Sequence, residues 1–273
     1  MLKLIKMDFY RLFSSKTIGV GAFIACLVSI GYMLISCGIV SLVNYAVQTD
    51  PAASMGISLF LSQASWIEGV NFSEIVFSGT GVFSLFIGCM ITANFIGSEQ
   101  SCGYTKNFAG QLPNKGYMAI SKFVVTSIAQ IMVLAIYTIA SSVLAMLLFG
   151  QYINGYDINT LLAALGLRLM LYLAINSIII FVCTLTKSHA IAMVVGCIFG
   201  IGVTKFVYLA ADVILGALKI NFSIGNLVPD GISSQLAIDT VESLAVKAIA
   251  VSVVFIVGFL MANYIIVRKR DVR

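Results

Sequence analysis

Few side chains in this sequence are equipped for covalent chemistry, and their spacing argues against it. His189 is the only histidine, and it stands two residues from Lys187 in a short segment between apolar runs. A catalytic or metal site needs convergent partners, and the apolar runs bring no cluster of His, Asp or Glu to it. The six cysteines include no Cys-x-x-Cys pair, and Cys26, Cys37, Cys89, Cys183 and Cys197 fall in apolar runs. They read as small packing residues rather than a disulfide framework. No Gly-Lys dipeptide occurs, so the Gly-x-x-x-x-Gly-Lys-Ser/Thr phosphate loop that cradles ATP is missing. No catalytic residue, metal site or cofactor is expected.

What remains is charge set beside apolar sequence. Glu99, Lys106 and Lys115 fall in the segment 97–122, which Gly103, Gly110, Pro113 and Gly116 punctuate. These breaks leave room for one short helix, either a docking element for a cytoplasmic partner or part of a solvated loop. Arg168 and Lys205 are the charges closest to apolar sequence. Intramembrane charges are costly and often functional. Both residues lie toward the outer ends of their runs, where long side chains snorkel to water, and snorkelling is the reading adopted. Asp212 is a candidate partner for either. Gly196 and Gly200 form a small-xxx-small pair suited to close helix packing, with chance as the rival among 23 glycines.

The elements that must carry these residues are set by six runs without any charge: 17–49, 75–98, 123–156, 169–186, 190–204 and 248–267. A helix needs about 20 mainly apolar residues to span hydrocarbon; the fifth run does so only if it continues past Lys205. If the runs alternate in direction, 12 of the 16 Lys and Arg residues fall on one side and 8 of the 11 acids on the other. Basic loops stay in the cytoplasm. The expected fold is therefore an all-α membrane protein of six transmembrane helices in the cell membrane, both termini cytoplasmic, with 1–273 as one transmembrane domain. The net charge of +5 describes topology, not nucleic-acid binding. The first run is too long for the roughly 7–15 apolar residues of a cleaved signal peptide. Before it, Leu2, Ile5, Phe9, Leu12 and Phe13 recur at helical spacing among Lys3, Lys6 and Arg11. That pattern suits a helix lying along the inner membrane surface; a basic flank that only orients the first span is the alternative. Ile57, Phe60, Leu61 and Trp66 are candidate interfacial anchors of the first outer loop.

Glu99, Gly103, Tyr104, Lys106, Asn107, Lys115 and Lys122, with the opening stretch 6–13 and Ser15-Lys16, resemble the permeases of ABC-2 type export transporters. Relatives often have Arg where this chain has Lys115, and the two are not interchangeable. The resemblance implies a permease subunit that pairs with a second permease subunit and with a separate ABC ATPase. It also implies that Glu99, Lys106 and Lys115 couple nucleotide-driven motion to the membrane helices, with the N-terminal helix packed nearby. The segment 218–236, interrupted by Pro229 and Asp230, resembles the broken, partly re-entrant helices that precede the last span in this family. Antimicrobial peptides or other amphipathic compounds are the expected cargo. Two other classes stand as alternatives. An intramembrane enzyme lacks a visible nucleophile with its base. An ion-coupled secondary transporter usually shows midplane ionisable residues or interrupted helices in matching halves, and neither is evident in the sequence.

Overall fold

A computed structural model describes residues 2–49, 72–101, 115–149, 157–186, 188–217 and 223–269. The candidate anchors Ile57, Phe60, Leu61 and Trp66 and the candidate coupling residue Lys106 lie outside the described residues. The described residues form α1 (Leu2–Ser14), α2 (Lys16–Thr49), α3 (Phe72–Gly79), α4 (Val82–Ser101), α5 (Tyr117–Phe149), α6 (Ile158–Thr186), α7 (His189–Ile201), α8 (Val203–Ala217), α9 (Pro229–Gln235) and α10 (Val241–Lys269). Short 3-10 turns, Ile224–Leu227 and Ile238–Thr240, flank α9. Among the described residues there is no strand, as long apolar runs demand: only a helix pairs the backbone groups of a single segment in hydrocarbon.

Five stretches are long and apolar enough to cross a membrane: Lys16–Gly38, Phe72–Glu99, Tyr117–Leu148, Ile158–Thr186 and Ile238–Lys269. A sixth is added if the pair Met193–Ile201 and Phe206–Leu215, bent by 64°, counts as one span. The chain is a multi-pass helical membrane protein. Its second stretch is the central one, with 69% of its most apolar window buried against the rest of the chain, compared with 11% for the last stretch. Accordingly α4 packs against α2, α5, α6 and α7, whereas α10 lies mainly along α6.

Two of these stretches are broken, and each break has a local cause. At Thr80 and Gly81 the second stretch divides into α3 and α4. The Thr80 amide still reaches Val76 O and Phe77 O at 3.2 Å, and the Gly81 amide reaches Ser78 O at 3.3 Å. Gly202 ends α7 with φ 80°, a left-handed conformation that favours glycine, and its amide bonds to the carbonyls of Ile198 and Phe199. Gly200, two residues earlier, allows the helices to meet: a Cβ there would stand 2.7 Å from Phe86 Cα on α4. Gly196 faces the Cys89 carbonyl of the same helix, 3.5 Å from where its Cβ would be. The expected small-residue seam is therefore present between α7 and α4.

The N-terminal helix differs from expectation in which face it presents. Leu4, Asp8 and Leu12, spaced four apart, are buried, while Phe9 and Phe13 are exposed with ring centroids 4.4 Å apart. The expected stripe is thus divided between two faces, Ile5 and Leu12 packing inward and Phe9 and Phe13 outward. Asp8 takes the inward place because it meets a polar partner there, described below. The fourth run likewise extends beyond its uncharged core. The helix α6 starts at Ile158, eleven residues before the run at 169, and so carries Arg168 inside it.

The packing at Gly200 gives a first test. Gly200→Ala forces the α4 backbone to shift and is expected to lower stability by about 1–3 kcal/mol, the usual range for overpacking. Gly166→Ala, which on α6 meets nothing within 4 Å, is expected to be neutral or stabilising by up to about 1 kcal/mol. Thermal unfolding of both variants in the same detergent measures the contrast.

Candidate functional site

Near the N-terminal helix, four charged residues from three elements converge. Glu99 ends the second stretch, in the last turn of α4, and its side chain is only 1% exposed. Arg11 of α1 donates from Nη2 to Glu99 Oε2 at 3.1 Å, and Lys122 Nζ of α5 lies 3.4 Å from Glu99 Oε1. The Arg11 guanidinium also lies 4.5 Å from the centre of the Phe95 ring. Beside this group the Ser121 hydroxyl donates to Asp8 Oδ2 at 2.6 Å, which ties α1 to α5 a second time. A carboxylate in the last turn of a helix and a lysine in the first turns of another both oppose the helix dipole. Their mutual pairing, with Arg11 added near the C-terminus of α4, offsets both placements.

Burial holds the Asp8 carboxyl above its ordinary value of 3.8; the Ser121 hydrogen bond works in the opposite direction, and the nearby Glu99 charge raises it further. Of the residues expected to couple to a partner, Glu99 is therefore engaged through both oxygens within the chain. Lys115 is partly exposed in the turn before α5, where its carbonyl accepts from the Met118 amide at 3.1 Å. No ion pair joins Lys115 to Glu99 among the described residues. Asp8 and Arg11 enter the sequence reading only as members of the opening stretch, and Ser121 not at all; the spacing of Leu4, Asp8 and Leu12 is the available signal.

Deeper in the bundle is a polar layer of neutral side chains. Thr92 donates to Asn176 Oδ1 at 2.8 Å, and Asn176 Nδ2 donates to Thr126 Oγ1 at 2.9 Å, so α4, α6 and α5 are joined across the core. All three residues are buried.

Arg168 forms the third polar centre, and snorkelling does not describe it. The side chain is buried, with the residue 5% exposed. Its Nη1 donates to Phe77 O at 2.6 Å and to Thr80 Oγ1 at 2.8 Å, and the guanidinium lies 3.4 Å from the Phe77 ring centre. The cause is the break after α3. A helix end leaves carbonyls without their regular helical partners, and here the Arg168 side chain adds a donor to those that the Thr80 amide and hydroxyl give Phe77 O. Tyr172, one turn along α6, donates to Gly81 O at 2.7 Å, and the Ser84 hydroxyl donates to Thr80 O. Asp212 does not pair with Arg168: it accepts from the Ser223 hydroxyl at 2.6 Å and the Ile224 amide at 2.7 Å, anchoring the 3-10 turn. The side chain of Lys205 lies outside the described residues.

Asp230, at the start of α9, is buried and accepts from the Thr204 hydroxyl. Arg168 and Asp230 line one cavity of about 150 Å³, situated where the break before α4 and the bend at Gly202 face each other. The expected irregular segment around Pro229 and Asp230 is thus seen as 3-10 turns flanking a seven-residue helix, with Pro229, Asp230, Gly231 and Ile232 buried.

No protein-family model matches this sequence, and no curated protein matches it.

Two outcomes follow for the charged cluster. Glu99→Gln leaves the Lys122 ammonium buried without its counter-charge and is expected to destabilise the protein by about 3–5 kcal/mol; Glu99→Gln with Lys122→Met should recover most of that loss. Unfolding midpoints of the single and double variants decide it. For Asp8 the raised pKa means that the folded state holds the proton more tightly than the unfolded one. Its contribution is therefore fully present below about pH 3.8 and declines as pH rises through the folded value. The difference in unfolding midpoint between wild type and Asp8→Asn, followed upward from pH 3.8, should shift against the wild type and then level off.

Proposed function

We propose that this chain is the six-span permease subunit of an ATP-driven exporter of the ABC-2 type. In this reading the bent pair of α7 and α8 is one span, α1 lies on the inner face of the cell membrane, and both termini are cytoplasmic. The exposed Phe9 and Phe13 face the lipid surface, and Lys3 and Lys6 the anionic headgroups. A second permease subunit and a separate ABC ATPase complete the transporter. Amphipathic compounds, antimicrobial peptides among them, are its cargo.

One observation carries the reading. Residues 102–114 connect the end of α4 to the start of α5, and those two ends are bound to each other and to α1 through Glu99, Lys122 and Arg11. A push on that connection by a cytoplasmic ATPase therefore reaches α1, α4 and α5 together rather than bending one loop. The motif residues of the resemblance, Glu99 and Lys122 among them, take part in this connection. Glu99 acts by holding the helix ends, and contact with the ATPase falls to Lys106 and Lys115.

A second reading is favoured by the two broken stretches. The expectation that an ion-coupled carrier would show interrupted helices, and that this chain has none, is corrected by the breaks at Thr80–Gly81 and Gly202. If the bent pair is counted as one span, they fall in the second and fifth of six, the corresponding positions of two three-span halves, with buried Arg168 and Asp230 between them.

Transport into inverted vesicles separates the two. The ATP-driven reading expects uptake that requires the partner ATPase and ATP and survives ionophores. Uptake abolished by ionophores and indifferent to ATP would establish the carrier instead. Within the first reading, Lys106→Glu and Lys115→Glu should lower transport and ATPase co-purification at least tenfold at equal membrane abundance, because a broken charge contact at a desolvated interface costs about 2–5 kcal/mol. Unchanged values in both would leave the segment a solvated loop.

A further inference from the structure

The cavity between the two helix breaks contains a cation whose donor set is incomplete. Arg168 carries five N–H donors in a rigid planar fork. Its Nη1 bonds to Phe77 O and Thr80 Oγ1, and neither Nε nor Nη2 makes a hydrogen bond among the described residues. The residue is 5% exposed and lines the cavity. One face of the guanidinium is covered by Phe77. The edge formed by Nε and Nη2 remains. We infer that this cavity is a binding site for a monocarboxylate, held by the Nε and Nη2 edge of Arg168.

The chemistry of the edge selects the ligand. Two parallel N–H donors match the two oxygens of a carboxylate, which is the geometry that distinguishes Arg from Lys in anion recognition. Asp230 lines the same cavity and excludes a second negative charge in this low-dielectric setting, so phosphate and dicarboxylates are disfavoured. Leu85, Phe199 and Leu236 supply an apolar wall for a short aliphatic body. A volume of about 150 Å³ is of the order that holds a benzene molecule, so a group of about six non-hydrogen atoms fits. That group is either a small free acid or the carboxyl end of a longer peptide. The site does not depend on what powers transport, and its failure would leave the ATP-driven reading intact.

The test uses the full chain, purified in detergent. Butyrate, butyramide, inorganic phosphate, N-acetyl-Ala-Ala and its C-terminal amide are titrated, with saturation-transfer NMR as the readout. Saturable binding of butyrate or of the dipeptide acid, with the corresponding amide at least tenfold weaker, supports the inference; which acid binds identifies the source. Arg168→Lys keeps the charge but removes the fork, and it should weaken binding at least tenfold. Should that variant fail to fold, Ser234→Phe, which fills the cavity while leaving Arg168 in place, should abolish binding. Asp230→Asn should tighten carboxylate binding and admit phosphate. Equal binding of acid and amide, no saturable binding of either acid, or affinity unchanged by Arg168→Lys or by Ser234→Phe, would overturn it.

Discussion

Inside a bilayer the peptide backbone has no water to bond, so every helix that stops short must find donors and acceptors in its neighbours. Among the described residues this happens after Gly79 and at Gly202, and much of the buried polar chemistry can be traced to the need. The first break gathers Arg168, Tyr172 and Ser84 around the carbonyls of Phe77, Thr80 and Gly81. The second is closed by the left-handed glycine itself, and Thr204 just beyond it engages Asp230. A buried arginine that would be a liability in a continuous span becomes the cap of a discontinuous one. The cation also lies where the dipole of α3 places negative potential, at its C-terminal end.

The charged cluster at the other end answers a different demand. Three helix ends, one of them from outside the membrane-crossing stretches, are held in fixed relation by charge-assisted contacts centred on the buried Glu99 carboxylate. Buried ion pairs contribute little net stability against well-packed apolar residues, but they penalise any arrangement that separates the partners. Such a cluster therefore favours rigid joint movement over local bending. Between the two charged regions, Asn176 bridges Thr92 and Thr126, so two of those helices, α4 and α5, are also registered with α6 by neutral hydrogen bonds.

The sequence revealed the spans and their order because the absence of charge over about 20 residues is a direct physical requirement. It also pointed to close packing at Gly196 and Gly200, without saying against which helix, and to the irregular segment around Pro229 and Asp230. It misled at Arg168. A charge near the edge of an uncharged run looks like the end of a helix, and only the break in a different segment, 88 residues earlier at Thr80, explains why it lies inside one. Asp8 was obscured for a related reason. Its partner Ser121 is an ordinary serine distant in sequence, and without that partner an aromatic stripe is the better inward face for α1. Local pattern records what each segment needs; it does not record which distant segment supplies it.

The long sequence separations within the charged cluster bear on how the chain is made. Arg11 meets Glu99 across 88 positions and Asp8 meets Ser121 across 113. At about 5–20 residues per second, the first helix leaves the ribosome roughly 5–25 seconds before its last partner does. Through that interval Asp8 and Arg11 have only water and lipid headgroups to satisfy them, so α1 cannot take its final place until the start of α5 has been inserted. Docking of α1 thus reports that two later elements, α4 and α5, have arrived in the correct orientation. A chain that inserted α5 backwards would leave α1 undocked, its acid and its arginine exposed at the membrane surface.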